Sequence, residues 1–208
     1  MNDDGSLEGD VVIEMNGHPA VAYRMENYDE TAAKREQGVA DEVKGQIDAA
    51  ELSNVSVENV MDASKPLVQK YHIRVPNYSQ KTGKRLFLQP GYFKYGLGPA
   101  FTSSTRKYDI FFRYPWSEND DIEITWPAGY EVDTADAPTG VADPRDIGGL
   151  TVRIDADKAQ NVLKYSRKFH FGGGGSILFG SQMYTPLKNM FDSFHNVDSH
   201  TITLKQKQ

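Results

Sequence analysis

The sequence predicts an α+β fold that is mainly β: an antiparallel β-sandwich preceded by a β-hairpin and one amphipathic helix, with a short C-terminal helix. Short runs of β-branched and aromatic residues recur after Ser53, and clusters of Pro, Gly, Asn and Asp separate them. This spacing is typical of antiparallel sandwiches. Before Ser53, one long segment is instead rich in Glu, Lys, Ala and Gln, a composition that favours a helix.

A hairpin is expected at the start of the chain. Asn16 and Gly17 stand between two β-prone runs, over residues 9–15 and 20–25, and an Asn-Gly pair in that position is a strong hairpin signal. An isolated hairpin is marginal in water. We therefore expect the segment 1–62, which contains the hairpin, to pack on the remainder of the chain.

One helix is expected over residues 28–52, where small and apolar residues recur near helical spacing and Asp29 can cap the first turn. The acidic side chains of this segment are interpreted as its solvated face. The predicted organisation has two parts, a hairpin-helix segment at 1–62 and an antiparallel β-sandwich domain at 63–208.

Alternation of apolar and polar residues is clearest in two segments, 107–114 and 121–126. Their apolar positions are Tyr108, Ile110, Phe112 and Tyr114 in the first and Ile122, Ile124 and Trp126 in the second. This pattern predicts a hairpin with one buried face, so Phe112 and Trp126 are expected in the core. The other predicted strands lie at 55–57, 68–75, 85–88, 150–154, 162–171 and 201–204, with a turn at 155–158 and a helix at 186–194.

Charge and composition exclude several classes of protein. Residues 1–62 carry 15 acids and 4 bases (−11), whereas residues 63–208 carry 14 acids and 19 bases (+5). An excess of this size is small for a nucleic-acid binder, so no nucleic-acid partner is expected. No apolar run approaches the roughly 18 residues of a transmembrane helix, so no membrane span is expected. Cysteine is absent, which excludes a thiol nucleophile and disulfides.

The motifs that suggest a cofactor are incomplete. Four glycines at 172–175 follow a strand, but the sequence after them lacks the Lys-Ser or Lys-Thr pair of a phosphate loop, which indicates a flexible connection or one with positive φ. Asp155 and Asp157 have the first spacing of a calcium loop, yet Gln160 stands in place of its glycine and Ser166 in place of its glutamate. The five histidines lack metal-ligand spacing. We predict no metal and no cofactor.

Two groups of residues are candidates for function. Tyr92, Phe93 and Tyr95 crowd a loop rich in Gly and Pro, where aromatic rings can serve as binding groups. The alternative is that these rings fold back over an open end of the sandwich.

The second group is His195, Asp198, Ser199 and His200, which lie close together in sequence and could suggest a hydrolase triad. However, the chain has no Gly-x-Ser-x-Gly nucleophile elbow. No catalytic residue is therefore predicted.

The order of the motifs resembles a known family of bacterial proteins. The runs Asp4-Gly-Ser-Leu-Glu-Gly9 and Asn59-Val-Met-Asp62 are similar to the segment that follows the transglutaminase-like core in that family. Leu86-Phe-Leu-Gln-Pro90, Ile124-Thr-Trp-Pro-Ala-Gly-Tyr130 and Tyr184-Thr-Pro-Leu-Lys188 resemble its C-terminal domain of unknown function. The resemblance covers nearly the whole chain and implies a parent with an N-terminal β domain, a papain-like core and this tail.

The resemblance implies a non-catalytic accessory or interaction module of a larger exported protein, located in the periplasm or outside the cell. Its expected partner is the upstream transglutaminase-like core of the parent chain, with another protein or a glycan as further possibilities. A glycan- or peptide-binding β-sandwich is the alternative function, and an unrecognised hydrolase is the least favoured. Because the chain has no Cys, none of the family's catalytic residues can be carried over to it.

Overall fold

The computed structural model describes residues 1–207, and the chain divides into two compact units, Met1–Tyr78 and Ser79–Gln208. The sequence placed the boundary between Asp62 and Ala63 instead. The difference arises because the strand predicted at 68–75 pairs with strands of the first unit. The predicted packing of the first segment on the sandwich stays a prediction.

The first unit contains one antiparallel sheet and two helices. Its strands follow the order β1-β3-β2, so the last strand in sequence is central in the sheet. The elements are β1 (Leu7–Met15), α1 (Gly17–Asn27), α2 (Ala32–Gln46), β2 (Glu51–Glu58) and β3 (Leu67–Val75).

The hairpin predicted for residues 9–25 is wrong, because its second strand is the helix α1. Pro19 lies in the first turn of α1, where its missing N–H group costs no hydrogen bond. Ala20 is buried and packs with Val60 and Leu67. Residues 20–25 therefore form a helix that buries Ala20 and do not form a strand after the Asn-Gly pair. β1 pairs with β3 instead.

The single helix predicted for residues 28–52 is also shorter than expected. α2 begins after Thr31, whose hydroxyl accepts a hydrogen bond from the backbone N–H of Lys34 at 3.3 Å. Thr31 thus takes the capping role that the sequence assigned to Asp29. The chain after α2 forms β2, so part of the predicted helix is a strand.

Basic side chains on β3 pair with carboxylates on both neighbouring strands. Lys70 lies 2.7 Å from Glu58 on β2, and His72 lies 2.8 Å from Asp10 on β1. These pairs are exposed, so each contributes little to stability. Their arrangement nevertheless explains the charge pattern of the chain, because the acid-rich residues 1–62 share one sheet with a strand that carries bases.

Up to residue 207, the second unit contains three antiparallel sheets and one α-helix. The two larger sheets have the orders β7-β11-β10-β9 and β4-β5-β13-β8, and a two-stranded sheet joins β12 and β6. The elements are β4 (Gln80–Thr82), β5 (Arg85–Leu88), β6 (Ile110–Phe111), β7 (Trp116–Thr125), β8 (Tyr130–Thr134), β9 (Val141–Ala142), β10 (Gly148–Asp157), β11 (Val162–Phe171), β12 (Leu178–Phe179), α3 (Tyr184–Asp198) and β13 (Ile202–Gln206).

The predicted fold class is confirmed: the protein is mainly β, its sheets are antiparallel and sandwich-like, and α3 is the short C-terminal helix. The hairpin of β10 and β11 is also confirmed. The hairpin predicted between 107–114 and 121–126 is wrong. β7 pairs along its whole length with β11, whereas β6 spans two residues and pairs with β12.

Aromatic rings fill the core on which α3 packs. Phe112 lies 4.7 Å from Phe171 between ring centroids, and Phe171 lies 4.9 Å from Phe191 of α3. Phe169 meets Phe194 edge to face at 5.2 Å. Offset and edge-to-face contacts of this kind add to the hydrophobic stabilisation. The apolar side chains of α3 thus cover the sheet that contains β11.

The two predicted core residues differ in burial. Trp126 is buried as expected, and Phe112 is partly buried against the aromatic core. Among residues 1–207, no helix combines the length and the apolar character required to cross a membrane.

We expect Phe171→Ala to lower the free energy of unfolding by about 3–5 kcal/mol, because the ring is 1% exposed and its loss leaves a cavity. Phe111→Ala is the matched control, since Phe111 is 64% exposed and should change stability by less than about 0.5 kcal/mol. Urea denaturation measures both values. Equal losses in the two variants would contradict the assignment of the buried face.

Candidate functional site

Arg167 on β11 is a charged residue of the protein interior, and its side chain is 2% exposed. Its Nε and Nη2 donate to the two carboxylate oxygens of Asp198, at 2.6 and 3.0 Å. Its Nη1 donates to Glu118 on β7 at 2.8 Å and lies 3.4 Å from Asp120 on the same strand. A guanidinium so deeply buried requires such pairing, because its desolvation is otherwise costly.

A lysine completes this group, which we call the Arg167 cluster: Arg167, Glu118, Asp120, Asp198 and Lys94. Lys94 Nζ lies 2.6 Å from Glu118, so the cluster holds three carboxylates and two cations. Lys94 belongs to a short 3-10 turn that follows β5. The cluster therefore joins two strands, the end of α3 and this turn.

Gln89 fixes the same turn through the backbone. Its Nε2 donates to the carbonyl of Lys94 at 3.1 Å and to the carbonyl of Asp198 at 2.8 Å. The guanidinium of Arg167 also lies over the ring of Phe169, 5.2 Å from its centroid. Ion pairs, hydrogen bonds and a cation–π contact thus hold the turn after β5, the end of α3 and the guanidinium of Arg167 together.

The two carboxyls on β7 respond to burial differently. Burial raises the pKa of Asp120 and exceeds the opposing effects of Arg167 and Lys94. Burial also acts on Glu118, but the charge and hydrogen bond of Lys94, together with Arg167, lower the pKa of that carboxyl. The fold therefore stabilises the charged form of Glu118 and destabilises the charged form of Asp120, each relative to the same carboxyl in water.

Tyr165 lies beside the cluster on β11. Its hydroxyl is buried and has no hydrogen-bond partner among residues 1–207, and burial together with the charge of Asp198 raises the pKa of Tyr165. A Cβ on Gly91 would lie 2.9 Å from this hydroxyl oxygen. The close approach explains why glycine stands at the turn after Pro90.

Of the four residues that suggested a hydrolase triad, Asp198, Ser199 and His200 are engaged in other contacts, and His195 lies in the last turn of α3. Asp198 binds Arg167 through both carboxylate oxygens. The Ser199 hydroxyl donates to the carbonyl of Asn196 at 3.3 Å, and His200 Nε2 lies 2.8 Å from the carbonyl oxygen of Asp136. The acid of this group thus stabilises the fold.

The candidate binding residues Tyr92, Phe93 and Tyr95 lie in and directly after the 3-10 turn that carries Lys94. Tyr92 is buried, whereas Phe93 and Tyr95 are partly exposed. The rings of Tyr92 and Phe93 meet edge to face, with 5.2 Å between centroids. The structure places all three beside the Arg167 cluster, and their role in binding stays a prediction.

The glycine run is a turn with left-handed backbone geometry, as the sequence predicted, because Gly172, Gly174 and Gly175 have positive φ. Asp157 accepts hydrogen bonds from the backbone N–H groups of Ala159 and Gln160, at 2.9 and 3.1 Å, and shapes the turn between β10 and β11. Within residues 1–207, His, Asp and Glu side chains form no group of three or more that could hold a metal ion.

A shallow open depression of about 600 Å³ lies along β7, β11 and β10. Its apolar lining residues include Ile122, Val152, Ile154 and Tyr165, and Ala137 borders it from the segment between β8 and β9. Its volume falls in the range of small-molecule pockets, although such pockets usually enclose the ligand more completely.

The β6–β12 surface, which we define by Tyr108, Phe111 and Leu178, exposes apolar side chains. Phe111 and Leu178 lie opposite each other in the two-stranded sheet, and the three side chains are 64–80% exposed. Their strand neighbours Ile110 and Phe179 point into the core. The sequence analysis missed this surface because it assigned Tyr108 to the buried face of a strand; Phe111, apolar at an outward position, was the available signal.

Together these features define a mainly β module with a buried, paired charge cluster and with a group of exposed apolar side chains at the β6–β12 surface. The family model of DUF3858, a domain of unknown function, matches residues 84–204. The chain belongs to this family, and the matched region contains both the Arg167 cluster and the β6–β12 surface. No curated protein and no solved structure matches the chain. The family match does not link the chain to transglutaminase-like proteins.

We expect Arg167→Met to lower the free energy of unfolding by about 3–5 kcal/mol, because it leaves the carboxylates of the cluster buried beside a single cation. Arg167→Lys should also destabilise, since an ammonium cannot reproduce the two-oxygen contact with Asp198. Lys168→Ala is the control, because Lys168 is exposed on the other face of β11. Denaturation in urea measures the three variants, and wild-type stability in Arg167→Met would show that the cluster is dispensable.

We expect Glu118→Gln and Asp120→Asn to change the pH dependence of stability in opposite directions. A lowered pKa gives Glu118 a stabilising contribution that is present above about pH 4.3 and is lost as the pH falls through its folded-state value. A raised pKa makes charged Asp120 unfavourable, so the wild type gains stability relative to Asp120→Asn as the pH falls from neutral. The free energy of unfolding of the wild type and of each variant, measured across this acidic range, tests the prediction. If the stability difference between wild type and variant changed with pH in the same direction for both substitutions, the prediction would be contradicted.

Proposed function

We propose that this chain is a non-catalytic accessory or interaction module of a larger exported protein with a transglutaminase-like core, and that it contacts protein through the β6–β12 surface. The observation that carries the proposal is the exposure of the cross-strand pair Phe111 and Leu178, together with that of Tyr108 two residues before β6. Contiguous apolar surface on a soluble domain is often an interaction site.

The fold itself does not require apolar side chains at these positions. Ile110 and Phe179 already attach the two-stranded ribbon of β6 and β12 to the core, and Phe112 N–H donates to the carbonyl of Ile177 at 2.8 Å. Phe111 and Leu178 point outward and gain little from folding, because burial is the source of hydrophobic stabilisation. Their apolar character therefore supports a role in contact with a partner.

The proposal of a non-catalytic role rests on the composition and on the engaged side chains. Acyl transfer of the transglutaminase type requires a thiolate, and the chain has no Cys. The hydrolase alternative loses support because Asp198 is paired with Arg167. The glycan-binding alternative loses support because Tyr92 is buried, which reduces the aromatic surface at the loop.

We expect the double variant Phe111→Ser, Leu178→Ser to melt at the same temperature as the wild-type chain, because both side chains are exposed. In the full-length parent protein, the same substitutions should lower stability or change the substrate range of the core. Leu97→Ser is the matched control, since Leu97 is exposed outside the ribbon. A parent that behaves like wild type with both ribbon substitutions would contradict the proposal.

We also expect the purified chain to show no amine-incorporating, peptidase or esterase turnover. The assay compares the chain, the parent and the parent without residues 79–208 on one substrate panel. Turnover by the chain that survives repurification and disappears with His195→Ala or His200→Ala would instead establish a hydrolase.

A further inference from the structure

We infer that the β6–β12 surface binds an acidic protein segment with large apolar side chains, an inference that rests on the proposed function and specifies the partner. The apolar part of the contact comes from the cross-strand pair Phe111 and Leu178, with Tyr108 beside it in sequence. Aromatic side chains are frequent anchors of protein interfaces because they bury a large area with few rotatable bonds.

Exposed cations surround the apolar side chains along the chain. Arg106, Lys107 and Arg113 are exposed and take part in no ion pair among residues 1–207. The one acid between them, Asp109, accepts a hydrogen bond from the backbone N–H of Ser181 at 3.0 Å. On the other strand, residues 172–183 carry no charged side chain. The surface therefore has a local excess of two positive charges.

This charge disfavours a symmetric contact between two copies of the chain. In such a contact the same surface meets itself, so Arg106, Lys107 and Arg113 of both copies would be brought together. Like charges in an interface oppose association. The complementary occupant is one that brings carboxylates to the cations and apolar side chains to Phe111 and Leu178.

The size of the surface favours a protein segment over an anionic membrane. Its apolar part comes from three side chains, and its cations lie within residues 106–113. A peptide segment can match a surface of this size, whereas attachment to an anionic bilayer usually requires a cluster of about four to eight Lys and Arg together with a larger buried apolar area. A local excess of two positive charges does not provide such a cluster.

The test uses two fluorescently labelled peptides with the same leucine and phenylalanine positions, one carrying glutamates and the other lysines between them. Fluorescence anisotropy with the full chain should show binding of the glutamate peptide and roughly tenfold weaker binding of the lysine peptide. Raising the salt from about 0.05 to about 0.5 M should weaken the glutamate complex, because the cations are exposed.

Variants separate the apolar and the charged parts of the contact. Phe111→Ser should reduce affinity for the glutamate peptide, and the double variant Arg106→Glu, Arg113→Glu should reverse the preference between the peptides. The controls are Leu97→Ser and Lys158→Glu, which change an exposed apolar residue and an exposed cation away from the ribbon. Thermal denaturation of each variant confirms that the fold is retained.

Several outcomes would overturn the inference. Equal binding of the two peptides, or binding of neither, would exclude an acidic partner. Phe111-dependent co-sedimentation with phosphatidylserine vesicles, without peptide binding, would assign the surface to a membrane, and Phe111-dependent dimerisation in sedimentation velocity would assign it to a second copy. If the peptides fail but Phe111→Ser, Leu178→Ser still alters the parent, the proposed function stands and only its partner is wrong.

Discussion

The second unit depends on the pairing of one buried guanidinium. Removing Arg167 from water costs several kcal/mol unless charged partners surround it, and its partners come from β7 and from the end of α3. Lys94 and Gln89 extend the same pairing to the turn after β5. Because Asp198 lies just before β13, this one requirement also fixes where the chain enters the second large sheet.

Part of this cluster could have been found in the sequence. Arg167 occupies the same alternation position on its strand as Tyr165 and Phe169, so an arginine stands where the pattern expects an apolar residue. On β7, Glu118 likewise lies on the same face as Trp116 and Ile122, where the alternation pattern predicts an apolar residue. Asp198 was not predictable as a partner, because it lies 31 residues from Arg167 at the end of a helix.

Strand positions were more predictable than strand pairing. The strands at 85–88 and 162–171 agree with the sequence because alternation is a local property. Pairing depends instead on contacts distant in sequence: of the three hairpins proposed from short turns, the one between β10 and β11 is confirmed and the other two are wrong. In place of the hairpin predicted between 107–114 and 121–126, all ten residues of β7 pair with the ten residues of β11. β6 is left as a two-residue strand that pairs with β12, and this pairing places Leu178 opposite Phe111 at the β6–β12 surface.

The central position of β3 has a consequence for how the first unit is made. β1 and β2 pair only with β3 and not with each other, although both precede it in the chain. During synthesis from the N-terminus, the outer strands therefore emerge before the strand that joins them. The sheet closes only when Val75 pairs with Leu7, and contacts of such long sequence separation form slowly. Residues 1–62, which emerge before β3, carry 15 acids and 4 bases, and mutual repulsion between like charges opposes association of such segments.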